Sequence, residues 1–577
     1  MQNNSAIDTM RSCWRELYGS SADQLFSEFI DEPQVCKSGM HFNPHQPGWY
    51  KDAIVYSLYV DLFNNTFEGL IEKLDYLQQL GVTCLWLLPI LDSPMRDAGF
   101  DIRKYDSIRH ELLGLPENAS DESKQEAFRH FLEEAHKRDI SVIFDIALNH
   151  TSEEHEWFRE SRKSPDNPYR DYYIWNRDTQ KYKETRLLFK GMCPSNWEAD
   201  GNWFFFHRFF EFQPDLNYHN PKVLVEMSRI LIFWLSQGVD GFRADAIPYL
   251  WKEDGTNCEN LPQTHTIIRF MRALLEFVRP ETLLLAEACQ PPIEVVKYFG
   301  DGDECHAGYH FPLMPQIFKA LAIQKSGPIR KVLEPSVTPA IEKINQWFMF
   351  LRLHDELTLE MVTEEDRRII HEYYCRDKRW DFRVGEGISA RLSELLNRDP
   401  KKIGLAYSVM LSLPGTPVIY YGDEFGKLND EAYYAEMKAY TGKDDTRYFV
   451  RGHIDWPQVM HELTVEGSLA SSVNSRLKQL LHSRKKFKAF GRGDIAWLDL
   501  VQADSVPASQ VLAFTRTFLD EKILVINNLS DKSVSLSIPT GFFFTSVSDI
   551  LGQTIEFKKE SGVLNLSAWG YTWIKLK

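Results

Sequence analysis

Membrane spans, secretion signals and disulfide patterns are all missing from this sequence. None of its apolar runs is long enough to span a bilayer, and its first residues lack the charged, apolar and small-residue blocks of a signal peptide. Only eight of the 577 residues are cysteines, and their spacing is irregular. Because this spacing argues against a disulfide framework, we expect reduced thiols and a cytoplasmic protein.

Basic residues are also fewer than acidic residues in this chain. The formal net charge is -16, and the acidic and basic residues are spread along the chain rather than grouped in blocks. Such a surface repels phosphate groups, which argues against nucleic acid or an anionic membrane as a partner. The sequence leaves open whether the chain forms a homo-oligomer.

The sequence does contain a large apolar core in a regular order. Hydrophobic residues make up 43% of the chain and aromatic residues 13%. From Trp49 onwards, short apolar stretches alternate with amphipathic stretches of helical period. The apolar stretches predict eight strands, at residues 53–60, 84–90, 141–148, 239–246, 282–288, 308–312, 348–354 and 416–422. Eight such units, closed by a helix at 468–487, are typical of an α/β fold of the (β/α)8 TIM-barrel type.

Breaks in this alternation predict the domain boundaries. The catalytic barrel takes in residues 46–149 and 216–496. Residues 150–215, rich in aromatic and charged residues and turns, are predicted to be an inserted subdomain after the third strand. Short alternating stretches predict an antiparallel β-sandwich domain at 497–577. An N-terminal extension at 1–45 is weakly patterned, with a short helix predicted near 22–29 and no predicted function.

The stretch from Gly241 to Ala246 is central to the functional prediction. Because strand side chains alternate between two faces, Arg243 and Asp245 are expected to share one face while Phe242 packs on the other. A guanidinium two residues from a carboxylate keeps that carboxylate charged and oriented. Taken alone, the pair fits a structural ion pair as well as a catalytic one.

Further chemical groups follow the other predicted strands. In a TIM barrel the chemistry belongs at the C-terminal ends of the strands. The residues found at those ends are Asp145, Asn149, His150, Arg243, Asp245, Glu287, His354 and Asp355. Three or more carboxylates with an arginine and two histidines at one barrel mouth predict an active site rather than structural pairs.

These motifs resemble those of the α-amylase superfamily of retaining α-glycosidases and transglycosidases. The matching runs are 145–150, 241–245, 286–287, 354–355 and, within the inserted segment, 213–217. Within the superfamily the sequence most resembles the trehalose synthase subfamily. That resemblance lies in runs outside the shared motifs, at 255–262, 300–306, 311–315, 354–362, 413–417, 421–424 and 489–493. It extends from about Trp49 to the C-terminus.

The resemblance implies a role for each matching residue. Asp245 would be the nucleophile, Glu287 the acid/base, and Asp355 the carboxylate that grips sugar hydroxyls. The implied sugar-binding residues are Asp97, Phe100, His150, Arg243, His354 and Arg451. Arg451 is expected beside Asp97. Retention requires one ionised and one protonated carboxyl, and burial away from a cation would keep Glu287 protonated.

The sequence also departs from the family pattern. Phe100 stands where the family usually has a tyrosine, Leu353 replaces an asparagine before His354, and Cys289 replaces an asparagine after Glu287. The first βα loop, 64–66, lacks the Asp- and Gly-rich calcium loop of many relatives. Lys252 stands where relatives offer a glutamate to a second calcium, and its ammonium would take the place of the ion. We expect no cofactor and no required metal, with a bound calcium ion the one doubtful point.

Three functions compete at this point. The first is intramolecular glucosyl transfer that isomerises maltose and trehalose. The second is an α-glucosidase, or a transglucosidase with another acceptor. The third is a non-catalytic sugar-binding relative, against which the intact Asp245, Glu287 and Asp355 argue. The acceptor pocket separates the first two, and segments 150–215 and 427–450 are the predicted lids over it.

Overall fold

Eight parallel strands form a closed barrel in the computed structural model. The model describes residues 2–36, 45–189, 191–504, 506–539, 542, 549–555, 557–558 and 562–576. The barrel strands are β1 (Val55–Leu58), β2 (Cys84–Leu87), β3 (Ser141–Ala147), β4 (Gly241–Asp245), β5 (Leu283–Ala286), β6 (Ala307–Tyr309), β7 (Gln346–Phe350) and β8 (Thr416–Tyr420). All eight predicted strands are present, and the (β/α)8 fold is confirmed.

Strand pairing closes the barrel between β1 and β8. Val55 of β1 lies opposite Cys84 of β2 on one side and Val418 of β8 on the other. Gly241 is required where β4 meets β5, because a Cβ there would lie 2.5 Å from the carbonyl oxygen of Leu283. The close approach sets the register that brings the polar ends of these strands together.

Helices surround the barrel and bury their apolar faces against it. The main ones are Phe67–Ile71, Leu74–Leu80, Asp121–His136, Pro221–Gln237, Pro262–Val278, Pro292–Val295, Leu313–Ile323, Gly327–Val332, Pro400–Ser412 and Leu469–Lys486. The helix predicted at 468–487 is therefore present. Among the described residues, no helix combines the length and the apolar character needed to cross a membrane.

Three of the excursions that leave the barrel at its C-terminal face contain strands. A two-stranded hairpin, Leu91–Asp92 with Lys104–Ile108, follows β2. The segment after β3 contains the helix Glu156–Lys163 and a three-stranded antiparallel sheet of Trp175–Asn176, Trp197–Asp200 and Trp203–Phe206. After β7 the chain adds strands Leu357–Thr358, Asp381–Phe382 and Gly387–Ile388 and the helix Glu364–Tyr374. The last excursion was absent from the sequence prediction, because its elements are too short to show a period.

The C-terminal part consists of two antiparallel four-stranded sheets, as predicted. Their strands are β9 (Asp494–Leu498), β10 (Val501–Gln502), β11 (Val511–Phe518), β12 (Glu521–Asn528), β13 (Val534–Ser537), β14 (Phe557–Lys558), β15 (Val563–Leu566) and β16 (Tyr571–Lys575). In β11, Leu512 and Phe514 pack with the barrel core, whereas Val511 and Ala513 pack between the two sheets. This alternation attaches the sheets to the barrel.

The N-terminal extension contains a helix that the sequence analysis missed. Gln2–Tyr18 lies against the barrel helix Pro262–Val278, and Asp23–Ile30 forms the short helix predicted near 22–29. Trp14 is fully buried, with its ring 6.1 Å from that of Phe270. The extension is thus part of the hydrophobic core rather than a loose tail.

Asp240 joins several elements at the N-terminal end of β4. Its carboxylate accepts hydrogen bonds from His45, His136, Arg279 and the backbone N–H of Val142, at 2.7–2.9 Å. Burial alone would raise the pKa of Asp240, but the hydrogen bonds from both histidines and the charge of Arg279 hold it well below its usual range. A depressed pKa means that ionised Asp240 stabilises the fold above about pH 4, and that this stabilisation is lost as the pH falls further.

We expect Asp240→Asn to lower the free energy of unfolding by about 3 kcal/mol at pH 7, because the buried guanidinium of Arg279 would lose the carboxylate that lies 2.9 Å from it. The difference between wild type and variant should shrink between pH 4 and pH 2.5, where Asp240 gains a proton in the unfolded chain but stays ionised in the folded protein. Urea unfolding at several pH values measures both effects. Asp139→Asn, at an exposed position nearby, is the control and should cost less than about 0.5 kcal/mol. A pH-independent difference would contradict this role of Asp240.

Candidate active site

Arg243 binds two carboxylates at the C-terminal mouth of the barrel. In the parallel register of β3 and β4, Asp145 lies directly opposite Arg243. Arg243 Nη1 donates to Asp145 Oδ1 at 2.6 Å and also to Asp245. Trp86 Nε1 gives Asp145 a second donor at 2.8 Å. Because all four side chains lie in the barrel interior, the guanidinium is the counter-charge that allows the carboxylates to remain there.

Glu287 follows β5 and faces the same guanidinium. Its Oε2 accepts a hydrogen bond at 3.1 Å from the backbone N–H of Ala246. Ala246 has a φ of +56°, a left-handed conformation that is rare for alanine and is held here directly after Asp245. Burial raises the pKa of Glu287 to about 7; Arg243 opposes this rise and the negative charge of Asp245 adds to it.

The position of Arg243 corrects one expectation about Glu287. Arg243 Nη2 lies 3.9 Å from Glu287 Oε1, so the prediction that this carboxyl is buried away from a cation is wrong. The pKa is nonetheless raised, because desolvation outweighs the attraction of a guanidinium already shared with Asp145 and Asp245.

Asp355 lies across the mouth, after β7, among three cationic or donor groups. Its carboxylate lies 3.0 Å from His354 Nε2, 3.2 Å from Arg447 Nη1 and 3.1 Å from Arg451 Nη2. Burial alone would raise the pKa of Asp355, but these neighbours hold it well below its usual range. Asp355 is therefore ionised under the conditions in which Glu287 can carry a proton.

The remaining predicted residues also lie at this mouth, where Asp97 pairs with an arginine that the sequence analysis did not single out. Asp97, in the hairpin after β2, accepts a hydrogen bond from Gln213 at 3.0 Å and pairs with Arg447 at 3.3 Å. Arg447 is thus the arginine that pairs directly with Asp97, while the charge of Arg451, which was predicted beside Asp97, also acts to lower the pKa of Asp97. Arg451 instead donates to the carbonyl oxygen of His354 and to Asp355.

Two ring systems form the walls close to these carboxylates. The Phe100 ring stacks on His354, with centroids 5.5 Å apart and an interplanar angle of 23°. His150 is buried beside Phe209, with ring centroids 4.9 Å apart. Burial lowers the pKa of both histidines, which favours neutral rings that can donate to or accept from hydroxyl groups.

A cavity of about 150 Å³ opens between Glu287 and Asp355. Its outer wall contains charged residues to which the sequence analysis assigned no role, namely Arg186, Glu356, Glu360, Arg383 and Arg447. Arg186 of the inserted segment forms an ion pair with Glu360 of the excursion after β7. The run 354–362 resembles the trehalose synthase subfamily, and this resemblance was the sequence signal that could have drawn attention to Glu356 and Glu360. Leu353 and Cys289, two of the departures from the family pattern, line the same cavity.

The two predicted lid segments contact each other above the mouth. Lys443 Nζ lies 2.8 Å from Glu211 Oε1 of the inserted segment. Tyr440, at the end of the helix Glu431–Thr441, donates to the carbonyl oxygen of Pro94 at 3.1 Å. The first contact joins the two lid segments at the surface, and the second joins segment 427–450 to the hairpin after β2.

Lys252 lies among oxygen atoms at the base of the inserted segment. Its Nζ lies 2.7 Å from Asn149 Oδ1, 2.9 Å from Asp215 Oδ2 and 3.3 Å from the carbonyl oxygen of Leu216. A calcium ion does not fit at this point, because the ammonium already lies between the oxygen donors. Elsewhere in the described part of the chain, no three His, Cys, Asp or Glu side chains are arranged to hold a metal ion.

The arrangement suits displacement at a carbon atom between two carboxyl groups. One group, Asp245, is bound to a guanidinium, and the other, Glu287, has a pKa near 7. An ionised and a protonated carboxyl group at one centre can act as nucleophile and acid.

Two family descriptions match the sequence. "Alpha amylase, catalytic domain" matches residues 63–474, and "Maltogenic Amylase, C-terminal domain" matches residues 503–573. A crystal structure of a trehalulose synthase mutant superposes with a TM-score of 0.71 at 23% identity, covering 92% of this chain and all of that one. At that identity the similarity shows the fold alone.

Curated relatives cover most of the chain. It is 40% identical to "Trehalose synthase/amylase TreS" of Mycolicibacterium smegmatis, over 84% of this chain and 85% of that protein. The trehalose synthase of Pimelobacter sp. is also 40% identical, over 84% of this chain and 88% of its own length. A Mycobacterium tuberculosis protein, also named "Trehalose synthase/amylase TreS", is 46% identical over 66% of this chain and 64% of that protein.

Because an ammonium lies among the oxygens at Lys252, we expect EDTA to change neither activity nor melting temperature. Lys252→Met should lower the free energy of unfolding by about 3–5 kcal/mol, since Asp215 would remain buried without its cation. Thermal unfolding with and without EDTA measures both effects. Lys222→Met, at an exposed position, is the control and should have little effect. Loss of wild-type activity in EDTA that calcium restores would contradict this account.

Proposed function

This chain belongs to the α-amylase family, and from that premise we propose that it isomerises maltose and trehalose through a β-glucosyl-enzyme intermediate. The observation that carries the proposal is the cavity at Glu287 and Asp355, whose wall includes the ion pair of Arg186 in the inserted segment with Glu360. Trehalose synthases at 40–46% identity support it. The proposed domain boundaries are those predicted from the sequence, and the free thiols among the described cysteines support the proposed cytoplasmic location.

In the first proposed step, a carboxylate oxygen of Asp245 attacks C1 of the non-reducing glucose of maltose. The bond from C1 to the glycosidic oxygen breaks, and Glu287 gives its proton to that oxygen, so that glucose leaves as a neutral molecule. Arg243 donates a hydrogen bond to Asp245 and so orients it for the attack. The pKa of about 7 for Glu287 supports its role as the acid.

In the second proposed step, the released glucose turns within the cavity and presents its anomeric hydroxyl. Glu287, now a carboxylate, takes the proton of that hydroxyl. The hydroxyl oxygen of the released glucose attacks C1 of the glucosyl enzyme, and the bond from C1 to Asp245 breaks. The new α,α-1,1 linkage is trehalose, and each protein group returns to its starting state. Water attacking the same intermediate gives free glucose instead.

The proposed sugar-binding residues surround this centre. Asp355, held ionised by Arg447 and Arg451, would accept hydrogen bonds from hydroxyl groups of the transferred glucose. Asp97 would do the same on its far side. The Phe100 ring would stack on the sugar, and His150 and His354 would bind hydroxyl groups.

We expect Glu287→Gln to slow turnover of maltose by about 10²–10⁴-fold, because the leaving oxygen would no longer receive a proton. An α-glucosyl fluoride, whose leaving group needs no acid, should still form the glucosyl enzyme. For the wild type, kcat/KM with maltose should fall as the pH rises above about 7, where Glu287 loses its proton. The variant with the fluoride should lack this decline.

Asp245→Asn is the matched comparison, since it should abolish reaction with both substrates. Mass spectrometry of the Glu287→Gln chain after reaction with the fluoride should detect the covalent glucosyl adduct. Failure of the fluoride to react, in a variant that melts like the wild type, would exclude Glu287 as the acid.

An NMR time course tests the reaction itself. Incubation with maltose should give mainly trehalose, with free glucose as a minor product from water that reaches the intermediate. Labelled glucose added to the mixture should enter the disaccharide only slightly, because the glucose released in the cavity is the acceptor. Glucose as the main product without trehalose would make the protein an α-glucosidase, and heavy incorporation of label would make it an intermolecular transglucosidase.

The NMR time course also tests the proposed closure of segments 150–215 and 427–450 over the cavity. Lys443→Ala removes the ion pair with Glu211 and should raise the proportion of glucose among the products, because the closed state would be less populated. Lys438→Ala is the control, since its partner Asp444 lies in the same segment and the pair joins no second segment. Equal product ratios in the two variants would argue against closure by this contact.

A further inference from the structure

The turn 93–101, within the hairpin after β2, carries two of the proposed sugar-binding residues, Asp97 and Phe100. Its backbone is strained, because Met95 and Ala98 have φ values of +63° and +49°, which side chains rarely adopt. Such conformations persist only where the surrounding structure fixes them. The position of both sugar-binding side chains therefore depends on whatever holds this turn.

Asp101 supplies the hydrogen bonds that hold the turn. Its carboxylate accepts from the hydroxyl of Ser93 at 2.9 Å, from the backbone N–H of Arg96 at 3.0 Å and from that of Asp97 at 3.1 Å. Ser93 Oγ in turn accepts from the backbone N–H of Met95 at 2.9 Å. Because Asp101 is fully buried, these bonds form without competition from water. Asp97 is thus attached to Asp101 through its own backbone.

The lid segments also contact this turn, but at the surface. Arg96 pairs with Glu153 of the inserted segment at 2.7 Å, and these side chains are 38% and 30% accessible. Tyr440, which donates to the carbonyl oxygen of Pro94, is 64% exposed. Exposed contacts contribute little to stability, whereas hydrogen bonds to a buried charged group are among the strongest in proteins. The buried carboxylate, rather than the lids, therefore fixes the turn.

Stability alone does not account for the charge of Asp101. Burial raises the pKa of Asp101 to about 6; the negative charge of Asp97 adds to this rise and the hydrogen bonds oppose it. A folded-state pKa above the ordinary value near about 4 means that ionisation of this carboxyl destabilises the folded protein above about pH 6. Asp240 shows the opposite shift. A buried carboxylate that weakens the fold when ionised, directly behind two sugar-binding residues, fits a role in the site.

We propose that Asp101 is a positioning residue that holds Asp97 and Phe100 against the transferred glucose. Asp101 is fully buried and touches no substrate itself. In the proposed site Asp97 binds hydroxyl groups and Phe100 stacks on the sugar ring, so a shift of the turn would weaken two contacts at once. The inference rests on the glucose-binding part of the proposed function and does not depend on which acceptor is used.

Binding of deoxynojirimycin, an iminosugar with the shape of glucose, tests this role in the full-length chain. Asp101→Asn keeps the size of the side chain but turns amide hydrogens toward a backbone N–H, so the turn should shift. Because a misplacement of about 1 Å can cost about 10²-fold, isothermal titration should show binding weakened about 10–100-fold. kcat/KM should fall by a similar factor with maltose and with an α-glucosyl fluoride, since these substrates share the transferred glucose.

Asp549→Asn is the matched control. Asp549, in the C-terminal part of the chain, is also buried, and its carboxylate accepts from two backbone N–H groups and one hydroxyl at 2.8–3.0 Å. This variant should lower the melting temperature by a comparable amount and leave binding of the iminosugar unchanged. If Asp101→Asn does not fold, Ser93→Ala replaces it, which removes one donor to Asp101 and should weaken binding about three- to tenfold.

A crystal structure of Asp101→Asn should also show Asp97 displaced from Gln213, which donates to it at 3.0 Å in the wild type. Unchanged binding of the iminosugar, an equal loss of binding in Asp549→Asn, or a fall in kcat/KM with maltose alone would each overturn the proposal. Trehalose formation is followed separately. A wild type that binds the iminosugar and forms no trehalose would contradict the proposed reaction and leave the role of Asp101 standing.

Discussion

One buried guanidinium, that of Arg243, determines the charge state of the barrel mouth. Asp145 and Asp245 lie on adjacent strands and would repel each other there without a cation between them. The guanidinium also reaches Glu287, but at 3.9 Å it attracts that carboxyl too weakly to offset the loss of solvent. Burial raises the pKa of Asp145 to about 7 as well, even though Arg243 lies only 2.6 Å from it. Glu287 differs from Asp145 in lining the cavity, where its proton can reach a ligand.

The sequence predicted the barrel and the carboxylates at its mouth for the same physical reason. Each barrel strand is buried on both faces, so it forms a compact apolar run that stands out from its polar surroundings. Asp245 and Glu287 lie at or directly after such runs, and the fold rule for strand ends then brings them together. Closure, strand order and the inserted position after the third strand follow from the same pattern.

Other residues were not predictable in this way. Arg447 lies in a segment without strand or long helix, and its position depends on hydrogen bonds to Asp445 and on the distant Asp97. The N-terminal helix was missed because Trp14 is buried against a barrel helix some 250 residues away, a contact that no local period reports. Arg186 and Glu360 likewise meet only after the chain has folded.

The strength of the contacts differs between the two sides of the site. The ion pairs of Arg243 are buried, so breaking one would leave an uncompensated charge, and this side is rigid. The pairs that close the cavity are partly exposed: the side chains of Lys443 and Glu211 are 28% and 32% accessible, and that of Arg186 is 38% accessible. Such pairs contribute only about 0–1 kcal/mol each, so the cover can open for substrate without disturbing the carboxylates. In the proposed reaction, the balance between transfer to glucose and transfer to water would then depend on surface ion pairs far from the reacting carbon.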